Sequence, residues 1–497
     1  MSKFNQSKTS QDEKDLTINL AGGEAYELSP KQALVNHLLT SFVQNQAYRT
    51  EAEGLDELSK LIAANDAKFV AKAAVYARTK FGMRSVTHVT AAQLAKRVKG
   101  EAWTKNFFDQ VTYRADDMME ILAYYKNVIK GPVPNSVKKG FAKAFARFNE
   151  YQLAKYKKSN SEFSLVDVVN LVHPKANPFL TKLMKGTLGA AETWETTLTK
   201  VGQSAAEGEG TDAEKQETLE ELKGDAWAKL VTEKKLPYFA LLRNVRNILQ
   251  NAPEVIDQVC EALVHAETIK KSLVLPFRFN TALRAIKSEN SVEARKVQVA
   301  ISKAIEISLG NVPDLPGKTL VVVDTSGSMM GSGYGMGGRQ TDAPIEIAAT
   351  FAAALYKKLG SDLMLFDTSA RYINPNPADS LITIRQNIIE KAEGGGTDFR
   401  IIFKTASKAY DRIVILSDMQ GWLGYDSPVE DFKAYRQRTS SNPFVYSWDL
   451  QGNSTAQFPE RKIFCLAGFS DKVFNTMALM ESDRDALIKE IEKINFD

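Results

Sequence analysis

The sequence predicts two folds in tandem, an all-α array of helical repeats followed by a doubly wound, Rossmann-like α/β domain. Three observations carry this. From about residue 17 to about 310, apolar residues recur at spacings of three and four, the period of amphipathic helices, with no strand-like run among them. From residue 319 onward, β-branched apolar runs alternate with helical segments, the pattern of a mainly parallel sheet. The length of 497 residues accommodates both, at roughly 150 residues per domain.

The composition is that of a globular protein, with 44% hydrophobic and 25% charged residues. It excludes a wholly disordered chain, a collagen-like repeat and a coiled-coil rod. No apolar run approaches the ~20 residues that span a bilayer, and the first residues carry no apolar stretch behind their charges. Only Cys260 and Cys465 are present, outside any CxxC pattern, which excludes a disulfide framework or a thiolate zinc site as a main feature. A cytoplasmic protein with no membrane contact is expected.

Along the chain, residues 1–16 form a polar tail expected to be disordered. The stretches 67–79 and 140–158 read as helices, the second with Phe141, Phe145 and Phe148 on one face packed as core. Leu236-Pro237-Tyr238-Phe239 and Leu275-Pro276-Phe277-Arg278-Phe279 both place Leu-Pro ahead of aromatics and a helical run, 39 residues apart between the prolines. Proline suits a first helical turn, and that period fits paired-helix solenoid repeats. The acidic, glycine-containing stretch 204–225 reads as an exposed loop leading into a short solvated helix. The character changes at 313–317. Strands are expected at 319–323, 363–366, 413–416 and 463–466. The domains are therefore a tail over 1–16, a helical array over 17–312 and an α/β domain over 313–497.

Charge is unevenly spread. Residues 68–158 hold 19 Lys+Arg against 6 Asp+Glu, a local net of +13; against the chain's total of +4 this leaves −9 elsewhere. A block of this size sets up a field that favours polyanions, with nucleic acid first among them.

One motif carries inorganic chemistry. Asp324-Thr325-Ser326-Gly327-Ser328 follows the first strand, at the edge where doubly wound sheets bind ligands. A hard divalent cation takes oxygen ligands, and Asp324, Ser326 and Ser328 supply a carboxylate and two hydroxyls from one turn. The loop 394–398 (GGGTD) offers a further hydroxyl, and a third strand delivers Ser417-Asp418. These three loops in this order resemble the metal-ion-dependent adhesion site of von Willebrand factor A domains. The resemblance implies Mg²⁺ or Mn²⁺ held by Asp324, Ser326, Ser328, Thr397 and Asp418. Two carboxylates balance a divalent charge without exceeding it, so such an ion can still take a carboxylate from a partner. The glycine-rich stretch 331–338 reads either as a segment that flexes over this site or as a plain surface loop.

The whole chain after the tail resembles the Ro autoantigen family, whose helical part is the TROVE module. The carriers are AAVYARTKFGMRSVTHV at 73–89, LPYFALLRN at 236–244, LPFRF at 275–279, DVVNLVHPK at 167–175 and LSDM at 416–419. The resemblance implies HEAT-like repeats closed into a ring that binds small noncoding Y RNA on its outer face and single-stranded ends of misfolded RNA in its hole. It also implies a monomer without catalytic activity, working in RNA quality control or maturation with an exoribonuclease. Matched to the family, the Y RNA surface falls at Lys155, Lys158 and His173. A histidine before a proline can equally do no more than cap or pack a helix, and the lysines can form a solvated helix end. Arg78, Lys80 and Arg84 lie in the best-matching stretch, where they line the ring or form buried ion pairs.

Two other function classes compete. A metal-dependent protein-interaction scaffold would use the same adhesion-type site with a protein-binding solenoid, but it has no general need for +13 on one segment. A nuclease is disfavoured, because the four histidines (37, 88, 173 and 265) are scattered, the basic region lacks clustered carboxylates and there is no GxxxxGK[ST] loop.

Overall fold

The computed structural model describes residues 16–18, 24–27, 29–40, 51–157, 162–189, 193–207, 212–331, 343–418, 428–449, 455–456, 463–467 and 486–497. They fall into two compact units: one drawn from 1–113, 124–137 and 314–497, the other from 114–123 and 138–313. The expected fold class stands, helices first and then an α/β sheet. The compact units cut across that linear order, because the first helices fold together with the α/β segment.

The first unit is built on a six-stranded sheet of β3 (Thr319–Asp324), β4 (Asp362–Phe366), β5 (Ala370–Ile373), β6 (Arg412–Ser417), β7 (Phe444–Asp449) and β9 (Ile463–Ala467). Their order is β5-β4-β3-β6-β7-β9, with β5 antiparallel on the edge and the others parallel. The chain winds outward from β3 in one direction and then from β6 in the other. β3 and β6 are neighbours, so the switch point lies between them. One face is covered by Phe399, Ile402, Phe403, Phe432 and Tyr435, packed on Leu320, Val322, Met364, Ile413 and Ile415. The helices Pro344–Leu359 and Leu381–Glu390 pack together, the first of them on β3, and Phe351 meets Trp448 at 4.5 Å between ring centroids. Burial on both faces explains why β3 reads as an unbroken apolar run. The strands β5 and β7 had no counterpart among the expected ones.

The N-terminal part contributes a feature absent from the sequence reading. β1 (Leu16–Ile18) and β2 (Glu24–Glu27) pair antiparallel, and β2 pairs with β8 (Thr455–Ala456) in a second small sheet. The helix Ala486–Glu492 packs on the helix Ala67–Lys80. Beyond it, Phe496 is buried, stacked on Trp103 at 5.7 Å, and its carbonyl accepts from Asn106 Nδ2 at 2.7 Å. Lys31 Nζ meets Glu492 Oε1 at 2.6 Å. Apolar burial and a satisfied buried carbonyl thus fasten the far end of the chain to its first helices.

The second unit is helical throughout its described residues. The described part of the stretch 140–158, up to residue 157, holds two helices rather than one. Asn135–Phe145 ends and Glu150–Tyr156 begins at a capping box, in which Asn149 Oδ1 accepts from Gln152 N and Gln152 Oε1 accepts from Asn149 N. Phe141, Phe145 and Phe148 are all buried as expected. The described residues of the acidic stretch are helical rather than loop, in Trp194–Glu207 and the 21-residue Asp212–Thr232. Ala, Glu, Lys and Gln are strong helix formers, and Ala226, Trp227, Leu230 and Val231 anchor the second helix in the core. At Gly224 that helix passes so close to Asn251 O that an added Cβ would lie 2.5 Å from it.

The two Leu-Pro segments meet. Pro237 is the N-cap of Tyr238–Asn251, Pro276 opens a 3₁₀ turn, and Tyr238 and Phe279 touch edge-on at 6.3 Å. The Tyr238 hydroxyl donates to Leu263 O at 2.8 Å. Among the described residues no helix is long and apolar enough to cross a membrane. Leu16, the last residue of the expected tail over 1–16, opens β1 instead; residues 1–15 of that tail and 332–338 of the glycine-rich stretch 331–338 lie outside the described residues.

Candidate functional site

Asp324 is the last residue of β3, Ser417 the last of β6, and Asp418 follows it. Because β3 and β6 run parallel with Val323 opposite Leu416, their ends bring Asp324 beside Ser417, whose hydroxyl donates to Asp324 Oδ2 at 2.5 Å. Ser326 N donates to Asp324 Oδ1 at 2.8 Å, closing the turn, and the Ser326 and Ser328 hydroxyls lie 3.2 Å apart. The second loop is tied to the first by Gly327 N to Gly395 O at 2.9 Å and Gly394 N to Thr325 O at 3.0 Å. Gly394 has φ +74°, a conformation that favours glycine, and a Cβ on Gly327 would press to 3.3 Å from Gly394 O. Asp398 is occupied by Arg400, whose Nε and Nη2 each lie 3.0 Å from a carboxylate oxygen. Thr397, in the same loop, is buried.

Asp324, Ser326, Thr397 and Asp418 are all buried, with Ser328 half-buried. Burial, and then repulsion from Asp418, push the Asp324 carboxyl up to about 7, against the downward pull of hydrogen bonds from Ser326 and Ser417. Two buried carboxylates that oppose each other's ionisation, set among hydroxyls, are unfavourable alone and suited to a hard divalent cation. The donor set therefore fits the metal that the motif implies.

A residue outside the sequence reading organises this edge. Asp367 follows β4, is buried, and lies 2.9 Å from the Thr325 hydroxyl and 3.2 Å from Arg371 Nη1. Burial alone would raise its carboxyl; hydrogen bonds from Ser369, Thr325 and Arg371 outweigh it and hold the group below the usual carboxylate range. A signal existed, since Asp324, Asp367 and Asp418 stand at the ends of three adjacent parallel strands.

The basic residues are more dispersed. In the second unit Lys155 is exposed on Glu150–Tyr156, 3.7 Å from Glu195 and 6.0 Å from the Tyr156 ring centroid. Arg114, which the sequence reading did not single out, lies over the same ring at 4.8 Å, within cation–π range. His173 caps the helix Leu165–Val172 through its backbone, its N–H donating to Val169 O, with φ +47° and an exposed side chain. The capping role and an outward imidazole therefore coexist. Lys158 lies outside the described residues. In the first unit Arg78 is 3% exposed, its guanidinium 5.3 Å from the ring of Tyr113, while Lys80 is exposed and Arg84 half-buried. The +13 block thus divides between the two units, and part of it is spent on packing: Arg97 Nη2 donates to Asn65 O at 2.9 Å and Lys157 Nζ to Leu188 O at 2.5 Å.

Comparison with known proteins agrees with this architecture. A family model described as the TROVE domain matches residues 2–224 and 188–313, and one described as the Ro60 vWA domain matches 318–479. Among curated proteins, telomerase protein component 1 of Rattus norvegicus is 22% identical over 299 residues, which are 46% of this chain and 11% of that protein. Its counterpart from Mus musculus is 20% identical over 342 residues, 53% of this chain and 13% of that protein. The chain thus spans about a tenth of the length of these relatives. Among solved structures, the crystal structure of the Deinococcus radiodurans RO (RSR) protein superposes with a TM-score of 0.61 at 19% identity, covering 90% of this chain and 99% of that one. This last likeness is one of fold.

Proposed function

The chain belongs to the Ro family of RNA-binding proteins, built from a TROVE domain and a Ro60 vWA domain, and on that premise we propose that it binds RNA without cutting it. The TROVE match across the helical residues carries this reading. Small Y-like RNA docks on the outer surface around Lys155, Lys158 and His173, and single-stranded ends of misfolded RNA enter the hole of a helical ring. The exposure of Lys155 and His173 supports the first part, since phosphates need side chains that reach solvent. Arg78, Lys80 and Arg84 are assigned to the single-strand path, Lys80 as a direct phosphate contact and Arg78 through the Tyr113 ring. The protein acts as a cytoplasmic monomer in RNA quality control or maturation, handing RNA to an exoribonuclease.

The α/β edge holds Mg²⁺ or Mn²⁺ through Asp324, Ser326, Ser328, Thr397 and Asp418. Such an ion supplies an electrophilic docking point for a partner's carboxylate. The protein-interaction reading is favoured by this feature alone, and it becomes a second activity of the same chain rather than a rival to RNA binding.

The test uses end-labelled hairpins, blunt or with a 3′ single-stranded tail, incubated with the pure protein and Mg²⁺. The tailed hairpin should bind more tightly, with tolerance of tail sequence, and both RNAs should remain intact. Turnover that vanishes in Asp324→Ala would overturn the noncatalytic reading, and equal affinity for the two hairpins would remove the ring-and-hole route.

A further inference from the structure

The metal edge is held by a carboxylate that is not among the five ligands assigned above. Both oxygens of Asp367 are already engaged: Oδ2 by Thr325 Oγ1 at 2.9 Å and Arg371 Nη1 at 3.2 Å, Oδ1 by Ser369 N at 3.0 Å. Its backbone works in the same direction, with Asp367 O accepting from Asp398 N and Asp367 N donating to Ser369 O, both at 2.9 Å. Three loops therefore meet at one residue. Thr325 belongs to the turn that carries Asp324, Ser326 and Ser328; Ser369 and Arg371 belong to the β4–β5 hairpin; Asp398 follows Thr397.

Arg371 extends the connection. Its Nη2 donates to Lys391 O at 2.6 Å and lies 3.1 Å from Glu393 Oε1, so one guanidinium spans from the buried carboxylate to the start of the glycine loop. That loop rests directly on the hub: a Cβ added to Gly395 would lie 3.2 Å from Thr368 Oγ1 and 3.4 Å from Asp367 Cβ. A buried ionised carboxylate is costly unless its acceptors are filled; here Thr325 of the Asp324 turn and Ser369 and Arg371 of the β4–β5 hairpin fill them, while the Asp367 carbonyl holds Asp398 beside Thr397. Side chains that orient ligands from behind in this way typically govern metal affinity by 10- to 100-fold.

We infer that Asp367 is the positioning residue of this edge, setting the Asp324 turn against the loop that carries Thr397, and that Arg371 couples the glycine loop to it. This rests on the reading of the edge as a divalent-metal site. Mn²⁺ titration of the full chain, followed by calorimetry or by the electron paramagnetic resonance of free Mn²⁺, tests it with Asp367→Asn, Arg371→Gln and the double variant. Asp367→Asn is expected to weaken Mn²⁺ binding by about 10- to 100-fold and Arg371→Gln by about tenfold. The double variant should be no weaker than Asp367→Asn alone, because the two act as one unit. Metal-free circular dichroism shows that each variant is folded, and if Asp367→Asn is not, Arg371→Gln carries the test. Wild-type affinity in the folded variants, with binding lost in Asp324→Ala, overturns the positioning role and leaves the metal site standing. A wild-type chain that takes up no Mn²⁺ overturns both.

Discussion

The α/β edge and the basic helical surface are organised in opposite ways. At the edge, loops from neighbouring parallel strands are stitched together by backbone hydrogen bonds, and the polar side chains sit buried behind them. On the helical surface Lys155 and His173 are exposed on separate helices, Lys155 beside Glu195 and the Tyr156 ring and His173 held by its backbone N–H. A buried cluster is over-determined by its surroundings, so each of its members matters to the others. An exposed set of charges adds up nearly independently, as the screening of surface ion pairs implies. Changes at the edge should therefore be few and large in effect, and changes on the basic surface graded.

The largest effect is expected from Asp324→Ala, which removes one of the two carboxylates of the metal edge. Mg²⁺ or Mn²⁺ binding should fall below detection in calorimetry, while affinity for a tailed hairpin stays within about twofold, since the two sets of residues share none of the contacts described above and sites without shared partners combine additively. A matching collapse of RNA affinity in the folded variant would break the contrast by showing that edge and surface are coupled.

On the basic surface the expectation is a graded one. Phosphate contacts release counterions, at roughly −0.7 in the log–log salt slope per contact on single-stranded RNA. Lys155→Ala with Lys158→Ala should make the slope shallower by about one to two, and weaken a structured RNA more than a generic single strand. A wild-type slope near zero would remove phosphate neutralisation as the driving term. His173→Gly separates two roles at one residue. The left-handed backbone that histidine tolerates poorly is natural to glycine, so stability should hold or rise by up to ~1 kcal/mol, while binding of structured RNA weakens if the imidazole touches it. Unchanged RNA affinity in this variant would reduce His173 to a helix cap.

The same contrast explains what the sequence could and could not disclose. The gathering of the Asp324-Ser326-Ser328 turn, the 394–398 loop and the end of β6 was legible because strand periodicity places loops at a known sheet edge; that these residues hold a metal is the proposal. Asp367 stands at the end of the strand beside β3, a place that the sequence does mark, but its role arises only once Thr325 and Asp398, up to 42 residues away along the chain, meet it. The helical period was legible from 67 onward, but the ends of helices were not always so. The break at 146–149 depends on one asparagine finding a glutamine three residues later, and the acidic helix Asp212–Thr232 depends on burying Trp227 at its far end. The joining of β2 to β8 had no local signal, since it links residues more than 400 positions apart. Of the basic block, net charge was legible and the division of its side chains between packing and solvent was not. Arg78 and Lys80 are two residues apart on one helix, one buried and one exposed.

The smallest expected effect compares one carboxylate from each unit at acid pH. In the α/β domain, Asp362 Oδ2 accepts from the Tyr410 hydroxyl at 2.6 Å and from Lys408 Nζ at 2.8 Å. Burial works to raise this carboxyl, but those two donors outweigh it and hold the group below the ordinary value near 3.8. In the helical unit, Asp167 is held low chiefly by hydrogen bonds from the Ser164 side chain and backbone N–H in a capping box, at an exposed helix start. Both groups have depressed values in the folded state, so both contribute stability that is present above the unfolded value and lost as pH falls through the folded one. Asp362→Asn and Asp167→Asn should each lower stability at neutral pH and make acid unfolding less steep below about pH 4. The half-buried Asp362, with its two donors left in place, should lose more than the exposed Asp167, for which a capping loss of up to about 1 kcal/mol is the natural scale. Denaturant titrations between pH 2.5 and 7 measure both. A larger loss for Asp167→Asn would show that local capping outweighs tertiary carboxylate bonding, and would reverse the contrast between the cross-linked sheet domain and the locally held helices.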